Sequence, residues 1–157
     1  MCICLGASAQ RNSGRLSLGA GLLYKNGAEM TLAYEHEMNY RHIWEFFANG
    51  YLQWSDCRTC GHICPESFWK NYRTWGIGAA YKPCVIRGRN HYGSLRLGVS
   101  GGSDTEKFVV GIHLGYEHSY VLRSGWTFYW QVKNDVIIRG ADLFRTGVAL
   151  GIKLPIK

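Results

Sequence analysis

The feature that most constrains the fold is an alternation of apolar with small or polar residues along almost the entire chain. After Gly14 the sequence divides into eight stretches, roughly ten residues each, that alternate with period two between turn-rich segments. Period two is typical of β-strands, because successive side chains point to opposite faces. The predicted strands are residues 15–25, 28–38, 42–55, 72–82, 92–101, 108–120, 126–138 and 145–156.

Short turn sequences separate most of these strands. Lys25-Asn26-Gly27 predicts a tight hairpin, Pro83 ends the fourth strand, and residues 101–104, Gly-Gly-Ser-Asp, predict another turn. The loop after the third strand is long. Because no connection has room for a crossover helix, we expect an antiparallel meander, and closing it into an up-and-down barrel removes both exposed edges.

The two faces of the predicted strands differ in side-chain size. One face carries large apolar residues, including Trp44, Trp75 and Trp130, whereas the other is rich in Gly, Ala and Ser with a few charges. The interior of an eight-stranded barrel is only just wide enough to be filled by side chains. The apolar set therefore belongs outside, facing lipid, although a soluble barrel or sandwich with aromatic edges is the alternative.

Aromatic residues fall near both ends of the strands. If the N-terminus is periplasmic, one group lies at the periplasmic rim and the other at the outer rim. The groups are Tyr34, Trp44, Tyr81, Tyr116 and Trp126, and Tyr24, Trp54, Trp75 and Phe108. Two aromatic girdles indicate two membrane interfaces. The predicted fold is an all-β, eight-stranded antiparallel up-and-down transmembrane β-barrel with an apolar exterior and a packed polar lumen, in the outer membrane of a Gram-negative bacterium.

The first ten residues have the features of the end of a secretory signal. An apolar stretch leads to Ala7-Ser8-Ala9, a small-x-small cleavage pattern before Gln10. We therefore expect residues 1–10 to be a truncated signal remnant and residues 11–157 to form a single barrel domain. An ordinary frayed terminus is the alternative.

Charged residues of both signs occupy the small-residue face and are predicted to form a network in the lumen. They are Glu29, Glu35, Glu37, Glu45, Lys82, Arg96, His113, Glu117, Lys133, Asp135 and Lys153. Charges away from bulk water must be paired and hydrogen-bonded, so the set favours a salt-bridged plug. A proton or ion path is the alternative.

The remaining positive charge of this +7 chain is concentrated at the predicted periplasmic end. Arg41, Arg87, Arg89 and Arg123 form a basic rim there, together with terminal basic residues and Arg15. Such a rim is predicted to contact outer-membrane lipids and lipopolysaccharide, and docking of an acidic periplasmic protein is the alternative. No nucleic-acid motif accompanies the rim, so direct nucleic-acid binding is not expected.

One loop carries a cluster of potential metal ligands. Cys57, Cys60, His62 and Cys64 could ligate zinc, but four ligands within eight residues are cramped, and an exported loop favours a disulfide among Cys57, Cys60 and Cys64. Cys84 is predicted to lie unpaired in the turn after the fourth strand.

His118-Ser119 suggests an enzymatic function, because such a pair is of the kind found in lipid-modifying outer-membrane barrels. Adjacent strand residues point to opposite faces, however, so the imidazole cannot readily activate the hydroxyl. The sequence therefore predicts no catalytic residue and no cofactor site.

Between residues 30 and 154 the order of motifs resembles the TraO-like family of Bacteroidetes conjugative transposon proteins. The residues that carry the resemblance are 32–36 (Leu-Ala-Tyr-Glu-His), 72–81, 115–117 (Gly-Tyr-Glu), 120–125, Asp142 and 147–153 (Gly-Val-Ala-Leu-Gly-Ile-Lys). The resemblance implies an outer-membrane component of the mating apparatus without known catalysis. A general surface barrel that binds ligands or partners through its outer loops, and a lipid-modifying enzyme, are the alternative functions.

Overall fold

The computed structural model of the chain describes residues 14–24, 26–54, 72–104, 106–140 and 143–156. Nearly all of them lie in β-strands. The strands are β1 (Gly14–Leu23), β2 (Gly27–Glu37), β3 (Ile43–Gln53), β4 (Arg73–Lys82), β5 (Cys84–Arg87), β6 (His91–Ser103), β7 (Phe108–Val121), β8 (Thr127–Ile138) and β9 (Phe144–Ile156). Within these ranges, no helix is long and apolar enough to cross a membrane.

The strands form one closed antiparallel sheet. Their order is β4-β3-β2-β1-β9-β8-β7-β6-β5, and β4 also pairs with β6, which closes the barrel. The short β5 continues β4 beyond Pro83, because both segments pair with β6. Because proline lacks a backbone N–H, Pro83 interrupts the strand hydrogen bonding. A one-residue register shift follows between Cys84 and Ile86. Counted with β4 and β5 as one interrupted strand, the barrel has eight strands, which confirms the predicted strand number and topology.

The connections differ from the sequence-based prediction at two places. Cys84 does not lie in a turn but begins β5, because pairing with β6 resumes immediately after Pro83. Gly101, Gly102 and Ser103 are strand residues and pair with Trp75–Ile77 of β4 rather than forming a turn. A Cβ atom at Gly102 would lie 1.9 Å from the carbonyl oxygen of Trp75, so glycine at this position allows β4 and β6 to approach each other closely.

The hairpin between β1 and β2 is as the sequence predicts. Asn26 adopts a positive φ of 58°, a conformation that asparagine tolerates better than most residues. In the connection from β2 to β3, Tyr40 and Arg41 also have positive φ, 61° and 60°. This strained turn, residues 39–41, folds Arg41 back toward the mouth of the barrel.

The exterior of the barrel is apolar and the lumen is polar. Leu22, Ile77 and Leu150 point outward and are more than half exposed. The inward positions are largely buried polar and charged residues, with small apolar clusters at a few points. An apolar exterior around a polar interior is the arrangement required of a closed sheet in hydrocarbon, and it confirms the predicted polarity.

The two ends of the barrel are distinguished by the course of the chain. The termini end contains the start of β1 and the end of β9, and the loop end contains the end of β3 and the start of β4. Tyr34, Trp44 and Trp126 are exposed at the termini end, and Trp75 and Phe108 are exposed at the loop end. Both aromatic girdles are therefore present on the lipid-facing surface.

Candidate functional site

Six charged side chains from six strands meet in the half of the lumen nearer the termini end, and we refer to them as the termini-side network. Its members are Glu35, Glu45, Lys82, Arg96, Glu117 and Lys153, all buried. The ammonium of Lys82 lies 2.6 Å from a carboxylate oxygen of Glu35 and 2.6 Å from one of Glu117, and it also contacts Glu45. Each of these carboxylates is shared with a second cation.

The second cations come from β6 and β9. Arg96 donates to one oxygen of Glu45 from Nε at 2.9 Å and from Nη2 at 2.6 Å. Lys153 lies 2.8 Å from Glu35 and also contacts Glu117. The alternation of signs around the lumen therefore gives every charge of this network an opposite neighbour.

A second group, the loop-side network, contains Glu29, His113, Lys133 and Asp135. Lys133 bridges Glu29 at 2.5 Å and Asp135 at 2.7 Å. Nδ1 of His113 lies 2.9 Å from Asp135, and Nε2 lies 2.7 Å from the hydroxyl oxygen of Ser100. The two networks together include ten of the eleven residues that the sequence predicts in the lumen.

The eleventh, Glu37, lies at the termini-side mouth and is half-buried. Nη2 of Arg15 lies 2.6 Å from the Glu37 carboxylate, and Nη1 donates to the hydroxyl of Tyr92 at 2.9 Å. Arg15 was expected on the basic rim, but its inward register on β1 places it within the mouth of the lumen, where Glu37 pairs with it.

The lumen is filled by these side chains. A cavity of about 10 Å³ lies between the networks and is lined in part by Glu29, Gln131 and Lys133. That volume holds about one water molecule. Within the described residues the fully buried charges also balance. The carboxylates are Glu29, Glu35, Glu45, Glu117 and Asp135, and the cations are Lys82, Arg96, Lys133, Arg145 and Lys153.

Glu35, Glu45 and Glu117 have the geometry of a metal-binding cluster. One oxygen from each lies within 4.8 Å of the others. However, the ammonium of Lys82 contacts all three carboxylates, so the charge that a metal ion would neutralise is already neutralised by the protein. The cluster is therefore a site for an internal lysine.

Ser100, His113 and Asp135 follow one another in the order of a hydrolase relay. Asp135 is also bound by Lys133, and Nδ1 of His113, although 2.9 Å from Asp135, is not directed at it for a hydrogen bond. The imidazole is 1% exposed and packs edge-on against Phe47. A closed lumen with room for about one water molecule gives a substrate carbonyl no position beside Ser100.

His118 and Ser119 lie on opposite faces of β7. Ser119 is fully buried in the lumen and donates a hydrogen bond to Glu117 at 3.1 Å. His118 lies on the outer surface, where Nδ1 is 2.9 Å from the hydroxyl of Tyr116 and the ring stacks on Trp130. The two side chains therefore do not form a nucleophile and base pair.

The basic rim is present at the termini end. Arg87, Arg89 and Arg123 are exposed, whereas Arg41 is half-buried, with its guanidinium 5.4 Å from the ring centre of Tyr92. Arg87 lies equally far from the ring of Tyr40. The exposed guanidinium groups are in a position to meet lipid head groups or an acidic protein.

The cysteine cluster of the sequence analysis, Cys57, Cys60, His62 and Cys64, lies outside the described residues, as does the expected signal remnant. Cys84 is an unpaired thiol. It is buried against Ile43 and Tyr92, and its backbone N–H donates to Nδ1 of His42 at 3.3 Å. Its burial, which the predicted turn would not have given, follows from its place in β5.

Sequence reasoning missed one buried charge, Arg145 near the start of β9. The residue is 3% exposed and faces the lumen. The alternation of faces along the last strand predicts that Arg145 points into the lumen, because it lies two residues before the inward Gly147.

Solved structures share this architecture at low sequence identity. A major outer membrane protein from Thermus thermophilus is 12% identical and has a TM-score of 0.63, covering 92% of this chain and 98% of that chain. The fold is that of an outer-membrane β-barrel. The Yersinia pestis outer membrane protein Ail is 10% identical with a TM-score of 0.61, covering 92% and 99% of the two chains.

Neisserial surface protein A is a third similar barrel, 12% identical with a TM-score of 0.55, covering 90% of this chain and 94% of that chain. No protein-family model and no curated protein matches the sequence. The likeness confirms the predicted fold class and agrees with the predicted outer-membrane location.

Proposed function

We propose that this barrel is a non-enzymatic structural or docking component of a conjugative transfer apparatus. The observation that carries the proposal is the filled lumen. The charges of its two networks are engaged across the barrel, and a cavity between them holds about one water molecule. Because a barrel of this size offers no solute path, its activity resides on its rims, its loops and its lipid-facing wall.

The resemblance to TraO-like conjugative transposon proteins supplies the biological setting. Its motifs include residues 32–36 on β2 and 147–153 on β9, and both segments are strands of the closed sheet. The resemblance therefore concerns the framework of the barrel, and no site residue follows from it.

The basic rim is the surface that best suits docking from the periplasm. Arg87, at the end of β5, and Arg89 and Arg123, in the two neighbouring turns, are exposed at the termini end. Anionic lipid and lipopolysaccharide would neutralise part of this positive charge. An acidic periplasmic protein of the transfer apparatus is the partner that would be specific to this barrel.

The test is an in-frame deletion in a donor strain, complemented with either the wild-type gene or an Arg87→Gln, Arg89→Gln, Arg123→Gln variant. The deletion should abolish donor ability without altering growth, and only the wild type should restore it fully. Outer-membrane fractionation and heat-modifiable migration show that the variant still forms the barrel. Unchanged donor ability after deletion would refute the proposal.

The same strains test the other two functions. A general surface barrel predicts normal mating and a lone gene, with no transfer genes among the neighbouring reading frames. A lipid-modifying enzyme predicts a change in the lipid A mass profile on expression, and Ser119→Ala should erase it. Either result would replace the conjugative assignment.

A further inference from the structure

Arg145 differs from the other buried cations of the barrel in where it lies. It pairs with Asp135 of β8 at the penultimate position of the β8–β9 ladder, at the loop end. Its side chain is directed into the lumen and is 3% exposed. The residue is therefore a buried guanidinium just inside the loop-side mouth.

Only part of this guanidinium is used by the protein. Nη1 donates to the hydroxyl of Thr74 at 2.9 Å, and the guanidinium carbon lies 3.7 Å from the ring centre of Tyr51 and 5.8 Å from that of Tyr72. Nε and Nη2 are buried without a hydrogen-bond partner, and across the described ranges no carboxylate forms an ion pair with Arg145.

Asp135, directly opposite on β8, does not supply the missing partner. One of its oxygens lies 2.7 Å from Lys133 and the other 2.9 Å from His113. The ion-pair contacts of Asp135 are therefore with Lys133 and His113, and neither of its oxygens lies within ion-pair distance of Arg145.

Arg96 shows what the same edge of a guanidinium does elsewhere in the lumen. Nε and Nη2 of Arg96 both donate to a single carboxylate oxygen of Glu45, at 2.9 and 2.6 Å. These are the two atoms that lack a partner in Arg145. The edge formed by Nε and Nη2 fits two oxygens of one planar carboxylate or of a phosphate group.

The surroundings of Arg145 strengthen its attraction for an anion. Leu23, Tyr51, Val109 and Ile137 are buried inward-facing residues at this end of the barrel. A cation in such a poorly polarisable setting is costly without a counter-charge, and an electrostatic contact there is stronger than in water.

We infer that Arg145, with Thr74 and the rings of Tyr51 and Tyr72, forms a binding site for an oxyanion, a carboxylate or phosphate group, at the loop-side mouth. The aromatic rings hold the guanidinium plane and Thr74 fixes its rotation. Nε and Nη2 have no solvent-exposed surface in this structure, so a side chain at the mouth must shift for them to receive the two oxygens. This assignment concerns the loop end and does not depend on the conjugative role.

Binding can be observed on the arginine side chains by nitrogen-15 NMR of the full barrel in phosphate-free nanodiscs. Titration with sodium phosphate or acetate, against sodium chloride at equal ionic strength, should shift the Nε–H resonance of Arg145 in a saturable manner. The Nε–H of Arg96, already bound to Glu45, should not move. Contacts to the Tyr51 ring assign the Arg145 resonance without any substitution.

Two matched variants separate the site from general charge. Arg145→Lys keeps the positive charge but loses the paired N–H donors of Nε and Nη2, so phosphate affinity should fall at least about tenfold. Arg73→Lys, the same change at an exposed position at the start of β4, should leave affinity unchanged. If Arg145→Lys does not fold, the wild-type titration still decides between binding and no binding.

Nanodiscs containing lipid A identify the source of the anion. A shift at Arg145 without added phosphate would show that a lipid phosphate reaches the site, whereas a shift only with free anion would show a soluble ligand. Either result supports the site. The inference is overturned if neither source moves the Arg145 resonance, or if Arg73→Lys weakens binding as much as Arg145→Lys.

Discussion

The ammonium of Lys82 on β4 lies 2.6 Å from a carboxylate oxygen of Glu117 on β7, across the lumen. The two strands are not neighbours in the sheet, because β6 lies between them. The contact therefore joins different walls of the barrel directly, in addition to the ladders that close it.

Replacing Lys82 with methionine should be strongly destabilising. Glu35, Glu45 and Glu117 would lose the cation at their centre, and removal of one partner from a buried ionic cluster costs about 3–5 kcal/mol. Urea unfolding in lipid vesicles, followed by heat-modifiable migration, measures the difference. Lys107→Met in the exposed loop-end turn is the control, and a similarly small effect for both variants would contradict the assigned role of Lys82.

The outward facing of the apolar residues is tested by a pair of leucines with nearly equal exposure. Leu150, at the middle of β9, is 53% exposed, and Leu122, in the turn after β7, is 54% exposed. Arginine at the membrane midplane costs about 2–4 kcal/mol, and near the interface about 0–1 kcal/mol. Leu150→Arg should therefore lower the free energy of unfolding much more than Leu122→Arg. Equal losses would mean that Leu150 does not face hydrocarbon.

The alternation of residue types was sufficient to predict the strand number, the topology and the polarity of the barrel. Glu45 and Phe46 illustrate the reason, since one of two adjacent residues is buried and the other is 57% exposed. In a two-sided sheet, a period of two assigns each residue to a face without any long-range information.

Pairings across the lumen were beyond the reach of sequence. That Lys133 would reach Glu29, 104 residues away, depends on which strands face each other after closure and at what height. Gly101–Ser103 was misassigned for a related reason. Glycine favours turns locally, but here it permits the close contact between β4 and β6, which only the closed barrel reveals.

Close strand approach leads to a prediction at Gly147, where β9 meets β1. A Cβ atom there would lie 2.3 Å from the carbonyl oxygen of Leu22, a backbone atom that cannot move without disturbing the ladder. Gly147→Ala should cost about 1–3 kcal/mol, in the range of an overpacked core.

Gly50→Ala is the matched control within β3. A Cβ atom at Gly50 would meet no atom within 4 Å. The substitution should be neutral or stabilising by up to about 1 kcal/mol, since alanine reduces the entropy of the unfolded chain. An equally small effect at both glycines would show that β1 and β9 do not approach each other closely at Gly147.

The turn between β6 and β7 should respond to acid. The backbone N–H of Lys107 donates to the Asp104 carboxylate at 2.7 Å, and this bond, with those from Glu106 and Tyr72 and the Lys107 charge, holds the pKa of Asp104 below its usual value of 3.8. Because the folded pKa is lowered, the contribution to stability is present above the ordinary pKa and is lost as pH falls through the folded value.

The Lys107 amide resonance should report this titration, with a midpoint below 3.8. In Asp104→Asn the step should disappear, whereas the resonances of the strands should be unaffected. A midpoint above 3.8 would show that the carboxylate is not held by these donors.

Both ends of the described chain lie at one end of the barrel, and this arrangement predicts how the barrel is oriented in the membrane. Gly14 pairs with Ile156, and the short turns at residues 39–41 and 122–126 lie at the same end. In bacterial barrels short turns face the periplasm and longer loops face outward.

Single cysteines at Ser124, in the termini-end turn, and Lys107, in the loop-end turn, test this arrangement in a chain whose native cysteines are serine. Membrane-impermeant maleimide on intact cells should label Lys107→Cys, but should label Ser124→Cys only after the outer membrane is permeabilised. The opposite pattern would invert the barrel and place the basic rim outside the cell.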